Sequence, residues 1–326
     1  MSTKKRLLEE GKTVDDLINE CLLLSSKYSI KCKIDRGSIS SIYSVEKMND
    51  TEGRKLIAKS IPQNLNPIET KFFKQEIKAM DLLNDKPWVP KLYDLVKDEK
   101  NYYLILDKIE GQNGFDYLAK KDENCLSLET AKIIFTQLVD IVAEIHKEGI
   151  AHRDLKLENF MVTDDLKVYL IDFGLCKLFD PKKEKDEIET NDYCGSLDYM
   201  SPQILDNKPY SSTLGDVFSL GIILNCMITG YAPFTTTQRD EFMKKKRLTH
   251  PPFVLDPDIP KLLQPLIKGM LAIQECNRVS IQWIQTFLKE KKPFDPKPKV
   301  EPFKSLGVGK SFSLSILSSA LSRILT

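Results

Sequence analysis

The sequence predicts an α+β protein built from two lobes: a small antiparallel β-rich lobe with one helix, then a larger, mainly helical lobe. Two observations predict this class. Between residues 28 and 107, short apolar runs alternate with polar residues as in strands, and one helical segment interrupts them. After Gly111 the apolar residues recur at helical spacing. With 326 residues and 41% hydrophobic content, the chain is long enough to bury a substantial core.

The first predicted element is an amphipathic helix over residues 12–25, "KTVDDLINECLLLS". Thr13 and Asp16 have the spacing of a capping box at its start. At helical spacing, one face carries its apolar side chains: Val14, Leu17, Ile18, Cys21 and Leu22.

Five apolar runs then predict the strands of an antiparallel sheet: "YSIKCKI", "SSIYSV", "KLIAKSI", "KLYDLV" and "YYLILD". The segment "ETKFFKQEIKAMDLL", residues 69–83, predicts the one helix of this lobe. Residues 127–150 predict a long helix of the second lobe, with Ser127 as its N-cap. Its apolar face would contain Ile134, Leu138, Ile141, Val142 and Ile145.

Composition limits the function classes. The formal net charge of +1 gives no indication of nucleic acid as the main partner, and we interpret the basic run at 244–247 as a solvated surface. Seven scattered cysteines without a C-x-x-C pair argue against a zinc cage or a disulfide scaffold. The N-terminus lacks an apolar signal region, and no stretch reaches the ~18 apolar residues of a membrane span. We therefore expect no membrane span and a cytoplasmic and/or nuclear localisation.

Two short motifs contain most of the candidate chemistry: "HRDLKLENF", His152 to Phe160, and "IDFGL", Ile171 to Leu175. In this order and spacing, the two motifs resemble the catalytic loop and the metal-binding motif of eukaryotic protein kinases. The resemblance implies phosphoryl transfer, which mainly needs a positioned hydroxyl and neutralised phosphate charge. Asp and Asn supply the hard oxygen ligands that suit Mg²⁺. The resemblance extends from about Tyr28 to Phe294 and favours the serine/threonine branch.

The resemblance implies the bilobal protein kinase fold and a protein serine/threonine kinase that uses ATP and Mg²⁺. It divides the chain into an N-terminal helical extension (1–27), a kinase N-lobe (28–110), a kinase C-lobe (111–293) and a linker with an amphipathic, serine-rich tail (294–326). It also implies that Asp154 orients the substrate hydroxyl and accepts its proton, and that Lys156 stabilises charge near the γ-phosphate. Asn159 and Asp172 would hold the metal.

For ATP, the resemblance implies that Lys59 contacts the α- and β-phosphates and that Glu76 pairs with Lys59. The alternative for Glu76 is a solvated glutamate on a mixed-charge helix. A hydrophobic spine would stack Met80, Leu92, His152 and Phe173. The other positions implied for the nucleotide are Ile34, Gly37, Ile42, Ile57, Leu106, Asp107, Ile109 and Met161.

Two departures from the family pattern affect the expected nucleotide site. In "IDRGSISSIYSV" only Gly37 remains of three glycines, since Asp35 and Ser40 occupy the other two positions. Ile57 stands where alanine is usual, so the roof over adenine is bulkier. Both changes predict a poorer KM for ATP rather than lost chemistry.

Two further positions concern the framework of the C-lobe. Gln203 replaces the glutamate that usually pairs with an arginine, here Arg278. A neutral amide accepts a hydrogen bond from the guanidinium but lacks the charge assistance. Asp216 matches the helix aspartate that braces the catalytic loop.

In the activation segment, Asp192 occupies the position of the threonine that related kinases phosphorylate. Arg153 and Lys177 match the basic residues that receive the phosphate, so we predict that Asp192 partly orders the segment without phosphorylation. Two alternatives stay open: Asp192 is an ordinary turn residue, or Thr190 is the phosphorylated site.

The resemblance implies protein substrates with exposed Ser or Thr. Glu158 matches an acidic residue that receives an arginine of the substrate, while Asn113 and Cys226 replace two other acids of that pocket. We therefore expect a weak preference for basic substrates. Ser196 lies in the substrate-docking segment "GSLDYMSPQ", and Leu175 resembles kinases that favour serine over threonine. Overall, the sequence most resembles the calmodulin-dependent and checkpoint-like kinases.

The tail at 311–326 has an apolar stripe, and three interpretations compete: packing on the kinase domain, binding a partner groove, or lying on a membrane surface. For the whole chain, the competing hypothesis is a pseudokinase-like scaffold that binds partners with little catalysis. The presence of Lys59, Asp154 and Asp172 favours the active kinase.

Overall fold

The computed structural model describes residues 7–8, 11–37, 40–182, 189–234 and 255–289. The basic run at 244–247 and the tail from 294 lie outside these residues. The chain's contacts form two compact units. We call Cys21–Asn64 with Tyr93–Leu106 the sheet unit, and Leu65–Leu92 and Asp107–Asp295 with the preceding Met1–Glu20 the helical unit, each as far as it is described. The predicted α+β class is confirmed.

The sheet unit is organised around a six-stranded sheet with the order β1-β5-β6-β4-β3-β2. Strand β1 pairs in parallel with β5, whereas β2–β3 and β3–β4 are antiparallel. All five predicted strands are confirmed. The strands are β1 Leu22–Leu23, β2 Tyr28–Arg36, β3 Ser41–Lys47, β4 Leu56–Pro62, β5 Leu92–Lys97 and β6 Asn101–Asp107. The core of the unit is a cluster of Leu24, Tyr28, Val45, Leu56, Ala58, Val96, Tyr103 and Ile105.

The N-terminal helix is shorter than predicted. Helix α1 spans Val14–Glu20, so the prediction of one helix over residues 12–25 was wrong beyond Glu20. Its capping box is confirmed, because Thr13 and Asp16 exchange backbone and side-chain hydrogen bonds at 2.8 and 3.2 Å. The apolar run that follows has a partner in the sheet: Leu22–Leu23 pairs with Val96–Lys97, and this tertiary pairing overrides the local helical pattern.

Helix α2, Pro67–Leu82, is the helix predicted from residues 69–83. It begins at a capping box in which Asn66 accepts from the backbone N–H of Glu69, while the Glu69 carboxylate accepts from the N–H of Asn66. Pro67 at the first helical position lacks the N–H that would otherwise need a partner. These caps fix where α2 starts, and hence which face Glu76 occupies.

The helical unit packs around two long helices, α4 and α6. The predicted N-cap is confirmed, since Ser127 accepts from the N–H of Thr130 at 3.2 Å. Helix α6 is long and apolar enough to cross a membrane, but 78% of it is buried inside the protein, as in a core helix. The helices after α2 are α3 Gly114–Ala119, α4 Leu128–Lys147, α5 Pro202–Leu205, α6 Ser212–Thr229, α7 Gln264–Met270 and α8 Ile281–Lys289.

Three small sheets of the helical unit hold the ends of its loops. Strands β7 (Gln112–Asn113), β9 (Phe160–Val162) and β10 (Val168–Leu170) form one sheet. Strand β8 (Ile150–Ala151) pairs with β11 (Lys177–Leu178), and β12 (Glu189–Thr190) pairs with β13 (Tyr210–Ser211). The first motif therefore connects β8 to β9, and the second connects β10 to β11.

Candidate active site

The loop between β8 and β9 is braced by the fully buried carboxylate of Asp216 on α6. Its Oδ2 accepts from the backbone N–H of His152 at 2.8 Å, and its Oδ1 accepts from that of Arg153 at 2.7 Å. The same Oδ2 lies 2.8 Å from Nε2 of His146 at the end of α4. The predicted bracing role of Asp216 is confirmed, and His146 is a partner that sequence reasoning missed.

Asp154 lies next in this loop, between a cation and an amide. Oδ2 of Asp154 accepts from Nδ2 of Asn159 at 2.9 Å and lies 3.0 Å from Nζ of Lys156. The other oxygen, Oδ1, is buried, and no group among the described residues donates a hydrogen bond to it. A buried carboxylate oxygen without a partner is costly and unusual in a folded protein. This oxygen is therefore the atom that can accept a proton from an incoming hydroxyl.

The two predicted metal ligands lie on neighbouring segments. The backbone N–H of Ile171 donates to the carbonyl oxygen of Asn159 at 2.9 Å, which ties the residue before Asp172 to Asn159. Because Nδ2 of Asn159 donates to Asp154 at two oxygens, its Oδ1 is the atom that can ligate a cation. Asp172 has φ of 63°, a left-handed conformation that non-glycine residues rarely adopt and that is typical of functional sites.

Two oxygen ligands fit Mg²⁺, which usually binds one or two protein groups and completes its octahedron with phosphate oxygens and water. The described residues contain no group of three His, Cys, Asp or Glu side chains that could hold a metal by themselves. The donor set of Asn159 and Asp172 therefore suits a metal that arrives with a phosphate-bearing substrate.

The predicted spine residues are all buried within the helical unit. The rings of His152 and Phe173 have centroids 5.2 Å apart. Complete burial lowers the pKa of His152 despite the nearby Asp216, Asp154 and Asp172 carboxylates, so the ring is neutral near pH 7. A neutral buried imidazole fits a packing role beside Phe173.

The predicted nucleotide residues of the sheet unit lie on its strands and on the turn after β2. Lys59 on β4 is almost completely buried. At the turn, the backbone N–H of Gly37 donates to the carbonyl oxygen of Ser40 at 2.9 Å. Of the other predicted nucleotide residues in this unit, Leu106 is buried, Ile42 and Ile57 are half-buried, and Ile34 is exposed.

The remaining nucleotide residues belong to the helical unit. Glu76 on α2 is almost completely buried, which argues against the solvated alternative, while its predicted pairing with Lys59 stays a prediction. Asp107 accepts from the N–H of Lys91 at 3.1 Å through Oδ2. Ile109 and Met161 are half-buried.

The activation segment meets the catalytic loop through Arg153. Nη1 of Arg153 donates to Oδ2 of Asp192 at 2.6 Å. Burial raises the pKa of Asp192, but the hydrogen bond and the charge of Arg153 outweigh it and lower the pKa below its usual value. Thr190 Oγ1 accepts from the N–H of Asp192 at 3.1 Å, and Lys177 donates to the carbonyl oxygen of Glu189. The predicted contact of Asp192 with Arg153 is confirmed.

Arg153 makes further contacts that sequence reasoning missed. Its Nε donates to the carbonyl oxygen of Leu175, the last residue of the metal-binding motif, at 2.7 Å. Its guanidinium carbon lies 5.5 Å from the ring centroid of Phe72 on α2. One signal was available: Phe72 is four residues before Glu76, so the two share a helical face.

The substrate-side residues include one contact to the catalytic loop. Nζ of Lys156 donates to Oγ of Ser196 at 2.7 Å. Glu158 is exposed, and Cys226 is buried near it. Burial, and then the negative charges of Glu158 and Asp198, raise the pKa of the Cys226 thiol to about 12. Asp198 is thus a second acid of this region that sequence reasoning missed.

Gln203 uses both ends of its amide. Oε1 accepts from Nη2 of Arg278 at 3.0 Å, and Nε2 donates to the carbonyl oxygen of Ile273 at 2.5 Å. Burial lowers the pKa of Arg278 to about 10, which the charge of Glu275 offsets only in part. The predicted pairing is confirmed, and the bond to Ile273 is an additional one.

The chain is similar to several curated protein kinases. The chain is 30% identical over 222 residues to the serine/threonine-protein kinase PKH2 of Candida albicans, covering 67% of this chain and 23% of the relative. It is 33% identical over 213 residues to the maternal embryonic leucine zipper kinase of Xenopus laevis, covering 64% and 31%. It is 35% identical over 215 residues to a probable myosin light chain kinase of Dictyostelium discoideum, covering 65% and 64%.

The chain thus spans from about a quarter to under two thirds of the length of these relatives. The family model described as "Protein kinase domain" matches residues 28–289, which is most of the chain. The matched range contains both motifs, the braced loop and the activation segment. The chain therefore belongs to the protein kinase family.

Proposed function

We propose that the chain is a serine/threonine protein kinase that transfers the γ-phosphate of ATP to protein serine, and less often threonine, hydroxyls in intracellular signalling. The observation that supports this most is the buried Oδ1 of Asp154 beside Asn159 and Lys156, which accepts no hydrogen bond from the residues that the structure describes. A scaffold that only binds partners has no use for such an oxygen, which costs stability until a donor reaches it.

In this mechanism each side chain has a separate task. Asp154 Oδ1 accepts the hydrogen bond of the substrate hydroxyl, orients it and takes its proton. Asn159 holds the other carboxylate oxygen at 2.9 Å, so the free oxygen has one orientation. Lys156 lies 3.0 Å from the carboxylate and 2.7 Å from Ser196, so its charge is held between the base and the substrate-docking segment.

The Asn159 and Asp172 oxygens would hold Mg²⁺, which neutralises phosphate charge when bound. For ATP, Lys59 would contact phosphate oxygens, and its partner would be Glu76. Ile42 and Ile57 would lie above the adenine and Met161 below it. Leu106 would lie at the back of the pocket, Asp107 to Ile109 would form the hinge, and Ile34 would be a further ATP-binding position. Gly37 would let the backbone approach the phosphates.

Substrate choice is part of the proposal. The exposed Glu158 and the nearby Asp198 favour a basic residue close to the target hydroxyl, although Cys226 supplies no charge. Leu175 at the end of the metal motif favours serine over threonine.

A cytoplasmic and/or nuclear localisation is also proposed. The seven scattered cysteines, which include no C-x-x-C pair, support it.

The test is a set of peptides that differ only in the acceptor, Ser, Thr or Tyr, incubated with the purified chain, labelled ATP and Mg²⁺. A second set replaces upstream arginines by glutamine. We expect transfer in the order Ser over Thr, none to Tyr, and a modest loss without arginine. Absence of transfer to every peptide, with ATP still bound, would favour the scaffold alternative.

A further inference from the structure

Helix α2 carries Glu76, and a separate part of the chain contacts its far side. Lys74 and Asp81 are seven residues apart, about two helical turns, so they share one face. Glu76 comes two residues after Lys74 and lies about 200° around the helix from it. The face of Lys74 and Asp81 is therefore nearly opposite the face that carries Glu76.

Asp81 is in an unfavourable position unless it has partners. Asp81 is only 4% exposed and is the last residue but one of α2. Burial disfavours a carboxylate, and the partial negative charge of a helix C-terminus disfavours it again. Within the described residues, the side-chain hydrogen bonds of Asp81 come from two donors. The backbone N–H groups of Leu7 and Leu8 donate to Oδ1 at 2.7 and 3.1 Å.

Helix α1 makes a second contact on the same face. Nζ of Lys74 lies 2.5 Å from Oδ1 of Asp15, and both side chains are substantially exposed. Exposed ion pairs contribute little to stability, so Asp81 contributes more than Lys74 to the stability of this contact. We call Leu7, Leu8 and α1 together the N-terminal strap.

We propose that the N-terminal strap holds α2 in position and that Asp81 is its anchor, so that the strap sets where Glu76 lies. The inference rests on the proposed kinase function for its effect on phosphate transfer, but not for its effect on α2. Asp81 is then a positioning residue, since it acts through the helix that carries Glu76. Loss of the two donors would deprive the buried carboxylate of both hydrogen bonds that the described residues give it, and would favour displacement of α2.

The first test removes the donors without changing α2. In the full chain, Leu7→Pro with Leu8→Pro eliminates both N–H groups. The matched control, Leu7→Ala with Leu8→Ala, shortens the same side chains but keeps both donors. Hydrogen exchange of the α2 amides, residues 68–82, is measured by mass spectrometry. We expect exchange about tenfold faster in the proline variant than in the alanine variant.

The second test uses Asp81 itself and a kinetic measurement. Asp81→Asn keeps an oxygen acceptor, whereas Asp81→Leu removes it. We expect kcat/KM for ATP within about twofold of the parent for Asp81→Asn, and about tenfold lower for Asp81→Leu and for the proline variant. If Asp81 only stabilised the fold, both Asp81 variants would have a lower melting temperature, but their kcat/KM values for ATP would not differ.

Equal α2 exchange in the proline and alanine variants would overturn the strap. Faster exchange with unchanged kcat/KM would overturn its positioning role. If the parent transfers no phosphate at all, the proposed kinase function fails, and the exchange measurement still decides whether the strap holds α2.

Discussion

Nη1 of Arg153 lies 2.6 Å from Oδ2 of Asp192, and the arginine side chain is only 1% exposed. The same guanidinium contacts the carbonyl oxygen of Leu175 and lies near the ring of Phe72 on α2. One buried cation therefore joins the catalytic loop, the end of the metal motif, the activation segment and α2. In the helical unit, the ion pair with Asp192 therefore links the activation segment to the other three parts.

The first prediction concerns this pair. We expect the phosphatase-treated parent to be active, because Asp192 is ionised and already bonded to Arg153. Asp192→Asn should lower kcat/KM by about fivefold, since the partly exposed pair contributes about 1 kcal/mol after solvent screening. The measurement is peptide phosphorylation by protein whose intact mass shows no phosphate.

Thr190→Ala is the matched control for the first prediction. It removes the hydroxyl that accepts from the N–H of Asp192 but leaves the charge in place. We expect near-parent activity from this variant. A dead dephosphorylated parent, or an active Asp192→Asn beside an inactive Thr190→Ala, would place the switch at Thr190 instead.

The second prediction is the pH dependence of the pair. The pKa of Asp192 in the folded chain is below its usual value of 3.8. The stabilisation is therefore fully present above the unfolded pKa and is lost as the pH falls through the folded pKa. The difference in melting temperature between the parent and Asp192→Asn should be constant from about pH 5 to 8 and narrow in stronger acid. A step near pH 6 would indicate a phosphate, whose second pKa is about 6.

The third prediction concerns Gln203→Glu. A carboxylate gives the buried Arg278 a charge-assisted bond worth about 1.5–3 kcal/mol, and it loses a neutral bond to Ile273 worth about 0.5–1.5 kcal/mol. We therefore expect the melting temperature to rise by about 2–4 °C. Gln203→Met, which removes both bonds at similar volume, should lower it. A fall in Gln203→Glu would mean that the Ile273 bond contributes more than the charge.

The fourth prediction separates binding from stability at Gly37. A Cβ built at Gly37 would lie 3.4 Å from the carbonyl oxygen and from Oγ of Ser40, an ordinary contact. Gly37→Ala should therefore leave the melting temperature unchanged. It should raise the KM for ATP several-fold, because a side chain keeps the backbone away from the phosphates.

Ser40→Gly is the opposite change in the same turn. A more permissive loop should lower the KM for ATP by a few-fold, on the order of 0.5–1 kcal/mol. An unchanged KM in both variants would show that this turn does not contact the nucleotide.

Local patterns predicted most elements because their signals are local. The capping box of Thr13 and Asp16, the N-cap at Ser127 and the five alternating runs all depend on residues a few positions apart. The predicted helix was wrong beyond Glu20 because the structure there depends on a distant segment. An apolar stretch such as Leu22–Leu24 fits a helix or a strand equally well, and only its pairing with β5 decides.

The same distinction applies to the candidate site. Motif resemblance located Asp154, Asn159, Asp172 and the Arg153–Asp192 pair. It missed His146 behind Asp216, and the strap on Asp81, since these contacts join segments 70 and 73 or more positions apart. Nothing local marks a buried carboxylate as anchored by a distant backbone.

The proposed kinase function requires Asp154 to accept the proton of a substrate hydroxyl. The most direct measurement compares phosphate transfer by the parent and by Asp154→Asn at saturating ATP, Mg²⁺ and a serine peptide, with the ATP Kd measured in parallel. We expect a kcat lower by about 10²–10⁴-fold in Asp154→Asn and an ATP Kd that stays the same. Equal kcat in the two proteins would show that Asp154 is not the base.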